Sequence, residues 1–287
     1  MLDFLQLDDP DPLYKAGLPH LLLGQDSPLE GPAEKLNDGF RRLLSMDDHQ
    51  LLRQAHEALR SGQNPAGYPA ELLQSLLWTE QSRAGLDLAQ ASAFVISRPG
   101  LRRDLLELLE WLLATRSPLA PATQPGRFGA LTPHAHYTRE QILLALGLGS
   151  FETPTARGKR EGVLHIPERK LDVFFADINK SEADFSPTTM YEDYALTERL
   201  FHWQSQSLTS DTSTVGRRYI EHEAQGYTPL LFIRDRKKLA NGLTAPYFFA
   251  GPLRYRKHEG SKPMSITWEL SEMPLPAKVL SWARRVG

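Results

Sequence analysis

The chain has 287 residues, 41% of them hydrophobic and 24% charged, with a net charge of −2 and no cysteine. These figures suit a soluble globular protein of one large or two modest domains. They exclude disulfides, cysteine metal sites and a cysteine nucleophile, and they fall far short of a histone-like basic excess. The opening MLDFLQLDDPDP has no basic segment ahead of an apolar one, and no apolar run reaches the roughly 18 residues of a membrane helix, so a cytoplasmic protein without membrane contact is expected. Residues 1–150 hold 13 basic and 18 acidic side chains, and residues 151–287 hold 20 and 17. Aromatic residues divide 9 to 17 in the same direction, so the C-terminal part is the better match to a polyanion.

Residues 1–125 read as a helical domain. After a Pro/Gly/Asp-rich lead over 8–38, DDHQLLRQAHEALRSG opens on a capping aspartate and closes on Gly62, with Leu51, Leu52, Ala55 and Leu59 on one face. PAELLQSLLWTEQ follows, with proline in its first turn. RPGLRRDLLELLEWLLATRS carries a wide stripe of Leu101, Leu105, Leu108, Leu109 and Leu112. SPLAPATQPGRFG, with three prolines and two glycines, is the linker candidate. It introduces a region, 126–150, that ends in a short helix capped by Thr138 with Gln141 three residues on.

From about residue 151 the pattern changes to short runs rich in β-branched and aromatic residues: VLHIP, KLDVFFADINK, RRYIEH, TPLLFIRD, APYFFAGPLRYRKHEG and MSITWEL. A β-rich, small-barrel-like domain over 151–287 is expected. One helix is expected within it, over Tyr191–Trp203. The fold class is therefore α+β, a helical domain followed by a β-rich one.

No P-loop, G-x-G-x-x-G, H-E-x-x-H or G-x-S-x-G motif occurs, and no cofactor is expected. His134 and His136 in PHAHY have the closeness of a zinc pair but no evident third ligand, and a polar linker is the plainer reading. Asp172, Asp177 and Lys180 bring to mind the two carboxylates and lysine of metal-dependent nucleases. A separation of five along a strand puts the two carboxylates on opposite faces, so this nuclease reading is the alternative rather than the first choice.

FHWQSQ, residues 201–206, sets an indole beside two amides. Trp203 can stack on a base, with Tyr191, Tyr194 and Tyr219 extending the stack. Asp193, His202, Gln204, Ser205 and Gln206 supply polar contacts to base edges. Equally, Phe201 and Trp203 can be core residues, with the amides at an element's end. Phosphate contacts are expected from Lys180, from Arg217 and Arg218 in the turn-like GRRY, from Arg236 and Lys237 in RDRKK, and from Lys257 in YRKHEG.

Taken in order, YTREQILLALG, NKSEADFSPTTMYEDYALTERLFHWQSQ, GRRYIEH, LLFIRDRKK and APYFFAGPLRYRKHEGSKPMSITWEL resemble domain of unknown function 3427. That domain closes a group of bacterial superfamily II (DEAD/DEAH-type) helicase proteins, often with a phospholipase-D-like nuclease domain at the front. The resemblance is strong over 137–276; residues 1–130 look like the connector that follows the helicase lobes. It implies a DNA-facing module of a defence or restriction-type system, with helicase and nuclease domains as partners in a longer chain or as separate subunits. The helicase lobes and the nuclease domain are missing from this sequence, so no ATP hydrolysis or unwinding is expected of it. In such systems a small PUA/SRA-like barrel commonly flips out a modified base and holds it between rings. The expected function is non-catalytic DNA recognition, with the nuclease or a protein-interaction adaptor as alternatives.

Overall fold

A computed structural model describes residues 37–62, 68–78, 83, 85–117, 119, 128, 130–153, 162–179, 193–239 and 242–284. They fall into two compact units. One is drawn from Met1–Gly158 with Leu239–Pro246, the other from Lys159–Lys238 with Tyr247–Gly287. The class is α+β.

The first unit is helical: α1 (Asn37–Leu43), α2 (His49–Ser61), α3 (Tyr68–Leu77), α4 (Leu88–Ile96), α5 (Pro99–Thr115) and α6 (Arg139–Ala145). Asp48 caps α2 by accepting from the Gln50 and Leu51 amides, and Gly62 ends it in the left-handed region at φ 68°. The leucines expected inside α2 and α5 are buried. Helix α4 was not foreseen, although Asp87 and Gln90 form a capping box at its start. Arginines close two helix ends from neighbouring helices. Arg42 donates to the Leu76 and Leu77 carbonyls of α3, and Arg102 donates to the Leu59 and Arg60 carbonyls of α2.

The PHAHY segment is tied to the start of α2. The His136 amide donates to Asp47 Oδ1 at 2.7 Å, and its ring Nδ1 lies 2.6 Å from Asp47 Oδ2. Its partner is thus a carboxylate on a helix end, and the zinc-pair idea falls away: among the described residues no three His, Asp or Glu side chains are grouped to hold a metal ion. Also among them, no helix is long and apolar enough to cross a membrane.

The second unit is a mixed sheet of β1 (Val163–Ile166), β2 (Leu171–Asp177), β3 (Tyr194–Ala195), β4 (Leu200–Gln204), β5 (Thr228–Arg234), β6 (Tyr247–Glu259) and β7 (Ser265–Leu270), with α7 (Thr214–Ile220) and α8 (Ala277–Ala283). The order is β1-β2-β5-β6-β7-β4-β3; β2 and β5 are parallel and every other neighbouring pair is antiparallel. These pairings leave β1 and β3 at the two ends, so among the described strands the sheet is open where a small barrel was expected. Strands β2 and β5 are buried along nearly their whole length, as their continuous apolar runs require.

Two sequence expectations change here. Tyr191–Trp203 is not a helix: its described part forms β3, a turn and β4. The Thr197 hydroxyl accepts from the Arg199 and Leu200 amides and closes that turn. The alternation of Phe201 and Trp203 with polar neighbours then prevails over the helical spacing. GRRY is not a turn, nor RRYIEH a strand: Gly216–Ile220 form the body of α7, capped by Ser213, whose Oγ accepts from the Gly216 amide at 3.1 Å.

Gly216 serves close approach rather than a turn. A Cβ there would lie 1.9 Å from the Ser210 carbonyl oxygen and 3.0 Å from Met264 Sδ. Gly216→Ala should therefore destabilise the second unit by about 1–3 kcal/mol. The check is a urea titration followed by circular dichroism, in which an unchanged midpoint would contradict the packing described.

Candidate functional site

Strand β4 divides FHWQSQ between two environments. Along Leu200–Gln204, burial alternates, with Phe201 and Trp203 inside and their neighbours half-buried. Trp203 is 3% exposed and lies flat against Phe174, with ring centroids 4.3 Å apart. Tyr219 meets both rings edge-on, and Trp268 completes the cluster. Trp203 and Tyr219 are core residues and offer no stacking face to a base. Burial also holds the Tyr219 hydroxyl pKa well above the usual phenol range.

The opposite face of the same strands carries the remaining candidates. His202 is paired with Tyr194 on one side and Thr267 on the other, and Thr267 is paired in turn with Lys257. The Tyr194 and His202 rings stack at 4.6 Å with an interplanar angle of 16°. In the next row Gln204, Ser265 and Glu259 are aligned. An aromatic pair, an amide and a cation thus share one face formed by β3, β4, β7 and the outer half of β6, with a shift of register just before Lys257. Asp193 is buried and accepts from the Gln204 amide, so it sets the strand rather than reading a ligand. Ser205 is fully buried and exchanges hydrogen bonds with Met264, accepting at Oγ from its amide. Gln206 is exposed in the loop beyond.

The cations of β6 are not alone. Arg254 pairs with Glu223 at 2.9 Å, Arg256 with Glu269 at 2.6 Å and Lys257 with Glu259 at 2.8 Å. The Lys257 hydrogen bond and charge lower the Glu259 pKa, and the nearby His202 lowers it further. Exposed pairs of this kind are screened by solvent and add little to stability.

The other expected phosphate contacts are scattered. Arg217 is exposed, but on α7, which covers the core face. Arg236 and Lys237 are exposed after β5, whose end pairs with the start of β6, the end remote from Lys257. Lys180 and Tyr191 lie outside the described residues. Arg218 is not a phosphate ligand. It is buried, and its Nε and Nη2 donate to Asp172 Oδ2 and Oδ1 at 2.8 and 3.0 Å.

That pair also removes the nuclease alternative. Asp172 is fully buried between Arg218 and His165, whose Nδ1 is 3.0 Å away, while Asp177 is held by Arg234. Each carboxylate has its own guanidinium, and the two share no site.

Beside this network His222 uses both ring nitrogens. Nδ1 donates to the Tyr227 carbonyl, and Nε2 accepts from the Tyr255 amide at 3.1 Å. The ring must be neutral to accept, and burial lowers its pKa below the ordinary 6.5. As pH falls, the unfolded chain therefore binds the proton first. Stability from this group is complete above about pH 6.5 and is lost as pH drops through and below that value. Denaturation midpoints at pH 7.5 and 5.5 should show the decline, and His222→Gln, which keeps a donor and an acceptor, should reduce it. His134, also lowered by burial, accounts for part of what remains.

Trp203→Ala should cost about 3–5 kcal/mol, the range for a large aromatic lost from a packed core. A stable, folded variant in a thermal melt would return the indole to the surface.

No curated protein matches the chain. Among solved structures it is similar to Arabidopsis thaliana SUVH6, crystallised in complex with SAM, at 10% identity and a TM-score of 0.33, over 87% of this chain. The chain spans 41% of the length of that one. A family model described as "Domain of unknown function (DUF3427)" matches residues 131–279, more than half the sequence, and the chain belongs to that family.

Proposed function

We propose that the C-terminal unit is a DNA-recognition module without catalytic activity, serving a nuclease–helicase system of the defence or restriction type. One observation carries this reading. Tyr194 and His202 stack, half-buried, on the sheet face opposite the aromatic core, in register with Lys257 and one row from Gln204. Aromatic rings on a sheet tolerate any base because every base has a π-face. An amide beside them can read a base edge through one donor and one acceptor, and a lysine can meet phosphate. Because Tyr194 and His202 are already in contact, a base would stack on the outside of the pair and not between its rings. A PUA/SRA-like reader of a flipped, modified base is the narrower form of this proposal, with Gln204 as the edge contact.

The test is fluorescence anisotropy of the whole chain with labelled duplexes, unmodified and carrying methylated, hydroxymethylated or phosphorothioate positions, at 50 and 200 mM salt. His202→Ala should weaken binding by about 1–3 kcal/mol. Lys257→Ala should weaken it on all sequences alike and reduce the salt slope by about one. Absence of binding to every duplex at the lower salt would overturn the proposal.

A further inference from the structure

The loop between β4 and α7 has no regular structure, yet it is firmly held. Thr209 accepts from the Lys262 amide at 3.1 Å through its carbonyl, Asp211 accepts from the Ser261 hydroxyl at 3.1 Å, and Ser213 donates to the Ser210 carbonyl at 2.6 Å. Thr209 and Ser210 are buried, and Gly216 packs against the Ser210 carbonyl. Out of this fastened loop stands Leu208, 86% exposed. Single exposed leucines are common on protein surfaces, but one on a pinned loop cannot fold back to cover itself.

Its surroundings say what it would enter. The other large hydrophobic side chains exposed among the described residues are Trp111, in the helical unit, and Leu196, at the far end of β4. The polar side chains carried by the two joined loops around it in sequence include Gln206, Ser207, Asp211, Ser261 and Lys262. A protein interface has a core of several apolar and aromatic residues. A lone apolar side chain on a polar loop, among hydroxyls, an amide, a lysine and a carboxylate already engaged by Ser261, is instead the make-up of a wedge that parts a base step. The position agrees: β4 ends at Gln204 and β6 at Glu259, both paired with Ser265, so the loops continue directly from the proposed DNA-facing surface.

We propose that Leu208 is a wedge that enters a groove of duplex DNA and unstacks one base step; this rests on the DNA-recognition reading above. The whole chain is added to duplexes carrying 2-aminopurine at successive positions, reading its fluorescence together with anisotropy of an end label. The wild-type chain should bind and raise the fluorescence at one or two adjacent positions. Leu208→Ala should keep the urea midpoint and the salt slope, bind about tenfold more weakly and lose the fluorescence rise. Leu208→Phe should keep the rise. Binding without a rise, or an equal rise with Leu208→Ala, overturns the wedge and leaves the DNA reading standing. No binding by the wild-type chain overturns both.

Discussion

The buried pairing of Arg218 with Asp172 organises the C-terminal unit. Asp172 sits on a strand enclosed on both faces, and an unpaired carboxylate there would cost several kcal/mol. The guanidinium fork that answers it comes from α7, which commits that helix to one position over the sheet. Once α7 is placed, the next residue, Tyr219, falls among Phe174, Trp203 and Trp268. Two residues before Arg218, Gly216 meets the Ser210 carbonyl and fastens the loop that holds Leu208. His165 and Tyr227 stack on the outer side of the same pair and carry its influence to the edge strand.

The outer face is electrostatically mixed. Every cation on the exposed half of β6 has a carboxylate beside it, so with a net charge of −2 long-range attraction to a polyanion would be weak. Such a surface would rely on short-range contacts, with rings, amide and hydroxyls taking a larger share of affinity than in a strongly basic domain.

Much of the helical unit was legible in the sequence because its signals are local. The leucine stripe of α5, the glycine end of α2 and the Thr138–Gln141 box of α6 each declare themselves within one or two turns. The sheet was legible as a set of strands but not in its order, since β2 pairs with β5 across more than fifty residues. The candidate surface was half legible. Tyr194, His202, Gln204 and Lys257 were picked by residue type, and so were Trp203, Tyr219 and Arg218, which turned inward. Residue type does not tell a ring that binds from a ring that packs; only the alternation of β4 and the partner of Arg218 do. Leu208 carried no signal, because a leucine in a polar loop reads as nothing in particular until its exposure is known.

The alternation in β4 has a consequence for how this surface can change over generations. Inner and outer residues are interleaved one by one, so Phe201 and Trp203 hold the strand in the core while His202 and Gln204 lie on its other face. Substitutions on the outer set would retune the ligand at little cost to folding. An insertion or deletion of a single residue would exchange the two sets at once and abolish both properties. The strand is thus tolerant of spelling and intolerant of length, an arrangement that would let the proposed recognition drift under selection while the architecture stays fixed.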